Sequence, residues 1–204
     1  MRRDAAFDAF DRGDWPEAEK LYRERLGRAA GPQEEEAAMH MLGFTLAMRE
    51  AYEEARDLYG ELLRRAEERT DRSAAAIAMH QFGMTFRLEG DPAGARKWFG
   101  KELEFRREHL TDDHSGFSAN SYELGELHLQ EGEPELALSA FRQALRQGKS
   151  AGDDICIGCA WRGIGKASQV MHHDPAVAWE MAIEAFKRAG DKAGEAEIRR
   201  LTGK

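Results

Sequence analysis

The chain has 204 residues, 42% hydrophobic and 33% charged, with a formal net charge of −8, the composition of a globular chain and not of a disordered one, with length enough for a core. The acidic balance argues against a nucleic-acid partner, because the basic runs LLRRAEER and FRREH are interleaved with glutamate, as on a solvated helix face. No stretch approaches the roughly 18 apolar residues of a membrane span, MRRDAAFDAFDRGDW does not read as a leader, and two cysteines are too few for a disulfide scaffold, so a cytoplasmic protein is expected.

Taken in chain order, the predicted elements repeat. Residues 1–30 carry Ala6, then Asp14 and Pro16 at a helix start, then Ala18, Tyr22 and Leu26. Residues 31–70 begin at Pro32, contain AMHMLGFTLAM with Gly43, and continue through YEEA to Ala55, Tyr59 and Leu63. Residues 71–111 contain AMHQFGMTFRL with Gly83, then Asp91 and Pro92, then Ala95, Phe99 and Leu103. Residues 112–151 carry Gly125, Pro134, Ala137, Phe141 and Leu145. Residues 152–189 carry Gly165, Asp174 and Pro175, Ala178 and Phe186, but Ala182 stands where the aromatic belongs, and QVMHHDP has one residue more than its counterparts. Residues 190–202 predict a terminal helix with a polar outer face; the alternative is a chain cut from a longer array.

The steps of four and eight residues place alanine, aromatic and leucine on one stripe of a helix. The recurrent glycine belongs to a preceding helix, where a missing side chain admits a close neighbour. All five prolines fall at helix starts, where the first-turn N–H has no intrahelical partner, with Asp14, Asp91 and Asp174 as caps. No segment has the alternation of a strand.

This pattern resembles the tetratricopeptide repeat, in its longer form of about 40 residues found in kinesin light chains and many bacterial regulators. The resemblance implies an all-α fold: a right-handed α-solenoid of antiparallel helix pairs, five repeats plus a C-terminal capping helix, in a single domain over 1–204. Each repeat would bury its face only against its neighbours. It further implies a groove lined by the first helix of each pair, carrying Arg3 and Phe7, His40 and Phe44, His80 and Met84, Tyr122 and Glu126, Arg162 and Lys166. One turn further stand Phe10, Ala47, Arg87, Leu129 and Gln169. Such a groove is aromatic at the N-terminal end, histidine-lined in the middle and basic at the C-terminal end. It suits a peptide with apolar anchors and an acidic end, the anchors meeting Phe7, Phe10, Phe44 and Met84 and the acid meeting Arg87, Arg162 and Lys166. His40 and His80 occupy equivalent places, so binding is expected to change between pH 6 and 7.

No catalytic or metal-binding constellation emerges. CIGC at Cys156–Cys159 lacks a second pair for zinc, and His172 and His173 lie at the far end of the same predicted helix. HLTDDH reads as a turn with an aspartate cap. RGIGKAS lacks the first glycine and the final hydroxyl of a phosphate loop. The expected function is therefore a non-catalytic protein- or peptide-binding scaffold without cofactor or metal, with no membrane partner. The alternative is a self-association or sensor module of a larger bacterial regulatory protein, acting as a homodimer.

Overall fold

The computed structural model describes residues 4–203. Among them are eleven α-helices and no strand: α1 (Ala5–Asp11), α2 (Trp15–Gly27), α3 (Pro32–Met48), α4 (Tyr52–Glu68), α5 (Arg72–Glu89), α6 (Pro92–His109), α7 (His114–Gln130), α8 (Pro134–Ala151), α9 (Asp154–Val170), α10 (Ala176–Ala189) and α11 (Lys192–Thr202). The fold is an α-solenoid of paired helices, and the chain divides into two compact units, Met1–Lys101 and Glu102–Lys204.

Aspartates start many of the helices. Asp14 accepts a hydrogen bond from the Glu17 N–H and Asp91 from the Gly94 N–H, as their positions predict. Asp4, Asp71, Asp113, Asp153 and Asp191 do the same for α1, α5, α7, α9 and α11. Each satisfies a donor that the helix leaves unpaired. Asp174 stands one residue earlier than expected: Pro175 is the cap residue of α10, and the Asp174 carboxylate accepts from the Ala176 N–H at 2.9 Å.

In the first unit the core is built from Ala18, Tyr22, Leu42, Leu46, Ala55 and Tyr59, all at most 1% exposed. The recurrent glycine makes room for the recurrent ring. A Cβ on Gly43 would lie 2.8 Å from Tyr59 Cζ, and one on Gly83 would lie 2.3 Å from Phe99 Cε1. Real Cβ atoms do not approach that closely, so the packing of the helix pair demands glycine there.

The second unit repeats the device. Phe141 fills the space left by both Gly125 and Gly163, with a Cβ at either reaching 2.5 Å or less from its ring. The last pair solves its missing aromatic in a different way. Ala182 is fully buried, and Trp179 supplies the ring instead, 2.5 Å from where a Gly165 Cβ would stand. His172, with a left-handed φ of 58°, holds the place that Gly132 and Glu50 hold in earlier turns, and the extra residue of QVMHHDP follows it, between His173 and Pro175, the cap residue of α10.

A buried ionic network holds α6 to α7. Glu102 is fully buried and Arg106 is 4% exposed. Arg106 Nε donates to Glu102 Oε1 at 2.7 Å, Asn120 Nδ2 donates to Glu102 Oε2 at 2.8 Å, and Arg106 Nη1 reaches Asp113. Asp113 thus does more than cap the turn of HLTDDH: it closes a charge network whose members satisfy one another.

Candidate functional site

The groove residues expected from the sequence fall on the odd-numbered helices. Arg3 lies outside the described residues. In the first unit Phe7 and Phe10 (α1) and Phe44 (α3) form a connected aromatic patch. The Phe7 and Phe10 rings stack at 6.3 Å, and Phe10 meets Phe44 edge-on at 5.2 Å, an arrangement that aromatic quadrupoles favour. Phe7 is 51% exposed, while Phe10 and Phe44 are half-buried against the core.

Next along this face come His40 (α3) and His80 (α5). The His40 ring packs edge-on against Tyr59 at 6.1 Å, and the His80 ring against Phe99 at 5.8 Å. Burial, helped by the nearby His80, lowers the pKa of His40. It is therefore a neutral ring at physiological pH. Arg87 is half-buried. Met84 departs from its expected role as an anchor: it is 6% exposed. One residue past Gly83 it turns toward the packed side of α5, so it contributes to the core and presents little surface.

In the second unit Tyr122 and Glu126 (α7), Arg162 and Lys166 (α9) and Glu197 (α11) form one polar cluster. Arg162 Nη2 donates to Tyr122 Oη at 2.8 Å, Nη1 pairs with Glu197, and the guanidinium lies 5.4 Å from the Tyr122 ring centroid. Burial opposes the Arg162 charge, but Tyr122, Cys159 and Glu197 outweigh it and hold the guanidinium firmly protonated. Burial raises the Tyr122 pKa, which keeps its hydroxyl neutral. Lys166 Nζ sits 3.1 Å from Glu126 Oε1. The expected basic end of the groove is thus neutralised from within: each cation has a carboxylate supplied by a neighbouring odd-numbered helix. Glu197, on the predicted terminal helix, was not legible as a partner.

The remaining motifs are structural. Cys156 and Cys159 are free thiols on α9. Burial, with Asp153 adjacent, pushes the Cys156 pKa up to about 12, and burial also raises that of Cys159, so neither is a ready nucleophile. RGIGKAS lies inside α9. His128, Glu131 and Glu133 bring three ligand-type atoms within 4.8 Å of one another; His128 Nδ1 is 2.7 Å from Glu133 Oε2, a hydrogen bond that ties the end of α7 to the start of α8.

Residues 34–108 match the family model of the tetratricopeptide repeat. Over that segment the helix pairs are tetratricopeptide repeats. BtubC (BKLC) from P. vanneervenii has the same fold with a TM-score of 0.59 at 18% identity, over 97% of this chain and 78% of that one. The nearly identical TPR-like repeats of a Podosopora anserina kinesin light chain give 0.56 at 14% identity, over 97% of this chain and 92% of that one. At these identities the likeness is one of fold. Among curated proteins none matches the chain. The glycine and ring of each tetratricopeptide helix pair account for Gly43 with Tyr59 and Gly83 with Phe99, and no described helix is long and apolar enough to cross a membrane.

Proposed function

We propose that this chain is a non-catalytic cytoplasmic scaffold of five tetratricopeptide-like pairs, with the faces of the odd-numbered helices binding a peptide segment of a partner protein. The observation that carries this reading is the Phe7, Phe10 and Phe44 patch, which leaves a stacked ring 51% exposed at Phe7. Exposed aromatic surface beside half-buried rings is the kind of anchor point that concentrates binding energy. His40, held neutral by burial, and the equivalent His80 extend it with ring edges. The Tyr122, Arg162 and Lys166 cluster takes acidic groups of the partner only by exchange with Glu197 and Glu126, so apolar anchors contribute most of the affinity and charge contributes selectivity.

Selection of a random peptide library tests this, run on wild type beside Phe7→Ser and Lys166→Gln. A motif with aromatic or aliphatic anchors that Phe7→Ser loses, and whose acidic positions Lys166→Gln relaxes, is the expected result. A motif indifferent to both substitutions overturns the reading.

One observation favours self-association as a second reading. Val170, Val177 and Leu201 are 54%, 67% and 44% exposed near a cleft of about 310 Å³ lined by Trp179 and Ile183. A mass that rises with concentration in sedimentation, and returns to the monomer value in Val177→Asp, would establish it.

A further inference from the structure

The turn that joins α7 to α8 carries a side-chain set that no other turn among the described residues repeats. In the earlier repeats the three places concerned have ordinary duties. The place of His128 belongs to packing: Ala9, Leu46 and Phe86 stand there, and Ala9 and Leu46 are 1% exposed. The place of Glu131 belongs to surface ion pairs, Arg49 with Glu19 and Glu89 with Arg56. The place of Glu133 belongs to capping, by Asp14 and Asp91. The α7–α8 turn gives up the first duty and the last. A histidine takes the packing place, and Glu133, the cap residue of α8, makes no side-chain hydrogen bond to the helix it starts. Its carboxylate turns back to the histidine instead.

The result is a convergence of donors. One ligand-type atom from each of His128, Glu131 and Glu133 lies within 4.8 Å of the other two. His128 Nδ1 and Glu133 Oε2 are 2.7 Å apart, with the His128 side chain 18% exposed and so held in place by its surroundings. Donors on one divalent ion, bonded at about 2.0–2.2 Å, stand roughly 3–3.5 Å from each other. The histidine and Glu133 are therefore within a few tenths of an ångström of ligand spacing. Glu131, exposed at the end of α7, closes the remainder by a change of rotamer. A hydrogen bond to the imidazole uses one carboxylate. Two carboxylates this close repel one another, and a divalent cation turns that repulsion into coordination.

We infer that the α7–α8 turn binds one zinc-class divalent cation through His128, Glu131 and Glu133, with solvent completing its shell. An imidazole nitrogen with two carboxylate oxygens is a donor set for zinc or cobalt, whereas calcium and magnesium take oxygen ligands. The ion replaces the His128–Glu133 hydrogen bond with bonds from both helix ends, and so fixes the end of α7 to the start of α8. His128 stands about 160° around α7 from Glu126 at 3.6 residues per turn, so the ion does not share the face of the odd-numbered helices, and nothing in this inference depends on the reading given above.

The test is calorimetric titration of the full chain with Zn²⁺ alone, on wild type, His128→Leu, Glu131→Gln, and a variant carrying both His172→Ala and His173→Ala. Leucine is what the second repeat carries at the His128 place, and Glu131 is exposed, so both site variants should fold, which circular dichroism checks. The last variant removes the exposed histidine pair after α9, the likeliest source of adventitious binding. Wild type is expected to bind a single ion, and His128→Leu and Glu131→Gln each to weaken it by about tenfold or more. The variant without the histidine pair should bind as wild type does. Zinc should also raise the melting temperature of wild type and leave that of His128→Leu unchanged. Binding lost with His172 and His173 but kept in His128→Leu makes the ion adventitious and overturns the site. Binding kept in Glu131→Gln overturns the three-ligand assignment. No saturable heat with millimolar zinc overturns the inference outright.

Discussion

The two units present the same repeat positions with opposite chemistry. In the first, the odd-numbered helices carry the uncharged rings Phe7, Phe10 and Phe44, the His40 ring that burial holds neutral, and His80. In the second, the corresponding places carry Tyr122, Glu126, Arg162 and Lys166, and the charges there are spent on one another and on Glu197. A position that the fold leaves free of packing duty can take either character. What the comparison teaches is that charge at such a position does not by itself advertise a charged ligand: Arg162, 16% exposed, and Lys166, 29% exposed, have carboxylates in reach. The first unit leaves surface for a partner, and the second has built an internal clasp.

The largest expected effect tests how far that use of charge extends inward. The first unit has a core of rings and alanines, whereas the second opens on the buried Glu102–Arg106 pair. Arg106→Met leaves Glu102, fully buried, without its guanidinium and removes the partner of Asp113. A loss of about 3–5 kcal/mol is expected, the usual consequence of stranding one member of a buried pair. Urea unfolding of the variant beside wild type measures it. A loss below about 1 kcal/mol would show that the network is solvated and that the units do not differ in this way.

The architecture was legible because packing imposes it residue by residue. Gly83 and Phe99, or Gly125 and Phe141, recur since neither member of the pair tolerates a larger partner, and such a constraint repeats at the period of the fold. The last pair shows the limit of that logic. Its ring comes from Trp179, one residue after the alanine and not four, and faces Gly165. The site was legible as a set of faces but not as chemistry. Lys166 reads as a free cation until Glu126, 40 residues earlier, is seen 3.1 Å away. Met84 reads as an anchor until its burial is seen. Partners that share no period with the repeat leave no mark in its register, which is also why the lone Asn120 gave no hint of Glu102.

An intermediate effect belongs to the first unit alone. His40 has a folded-state pKa below its ordinary value, from burial first and from His80 second. The native state therefore resists the proton that the unfolded chain accepts. The stabilisation is fully present above the unfolded value of 6.5 and is lost as pH falls through the folded value. The melting temperature of wild type should drop between pH 7.5 and pH 5.5 by more than that of His40→Phe, which cannot titrate there. Equal drops in the two proteins would assign the acid sensitivity to other groups and remove the histidine face from the contrast.

The smallest effect compares the turns that end the odd-numbered helices. Each unit closes such turns both with glycine and with an L-residue, Gly90 and Glu50 in the first and Gly132 and His172 in the second; Gly132 at φ 77° after α7 and Glu50 at φ 64° after α3 are the pair to compare. A left-handed conformation costs an L-residue roughly 1–2 kcal/mol and glycine almost nothing, though glycine loses more freedom on folding. Glu50→Gly should therefore stabilise by about 0.5 kcal/mol, and Gly132→Ala should destabilise by about 1 kcal/mol. Because no Cβ contact lies within 4 Å of Gly132, the second change reports backbone strain and not a clash. Opposite signs in thermal unfolding would mean that the turns, unlike the faces, obey one rule in both units. If Glu50→Gly destabilises instead, the glutamate side chain contributes more than its backbone strain costs, and the turn after α3 is held by more than backbone preference.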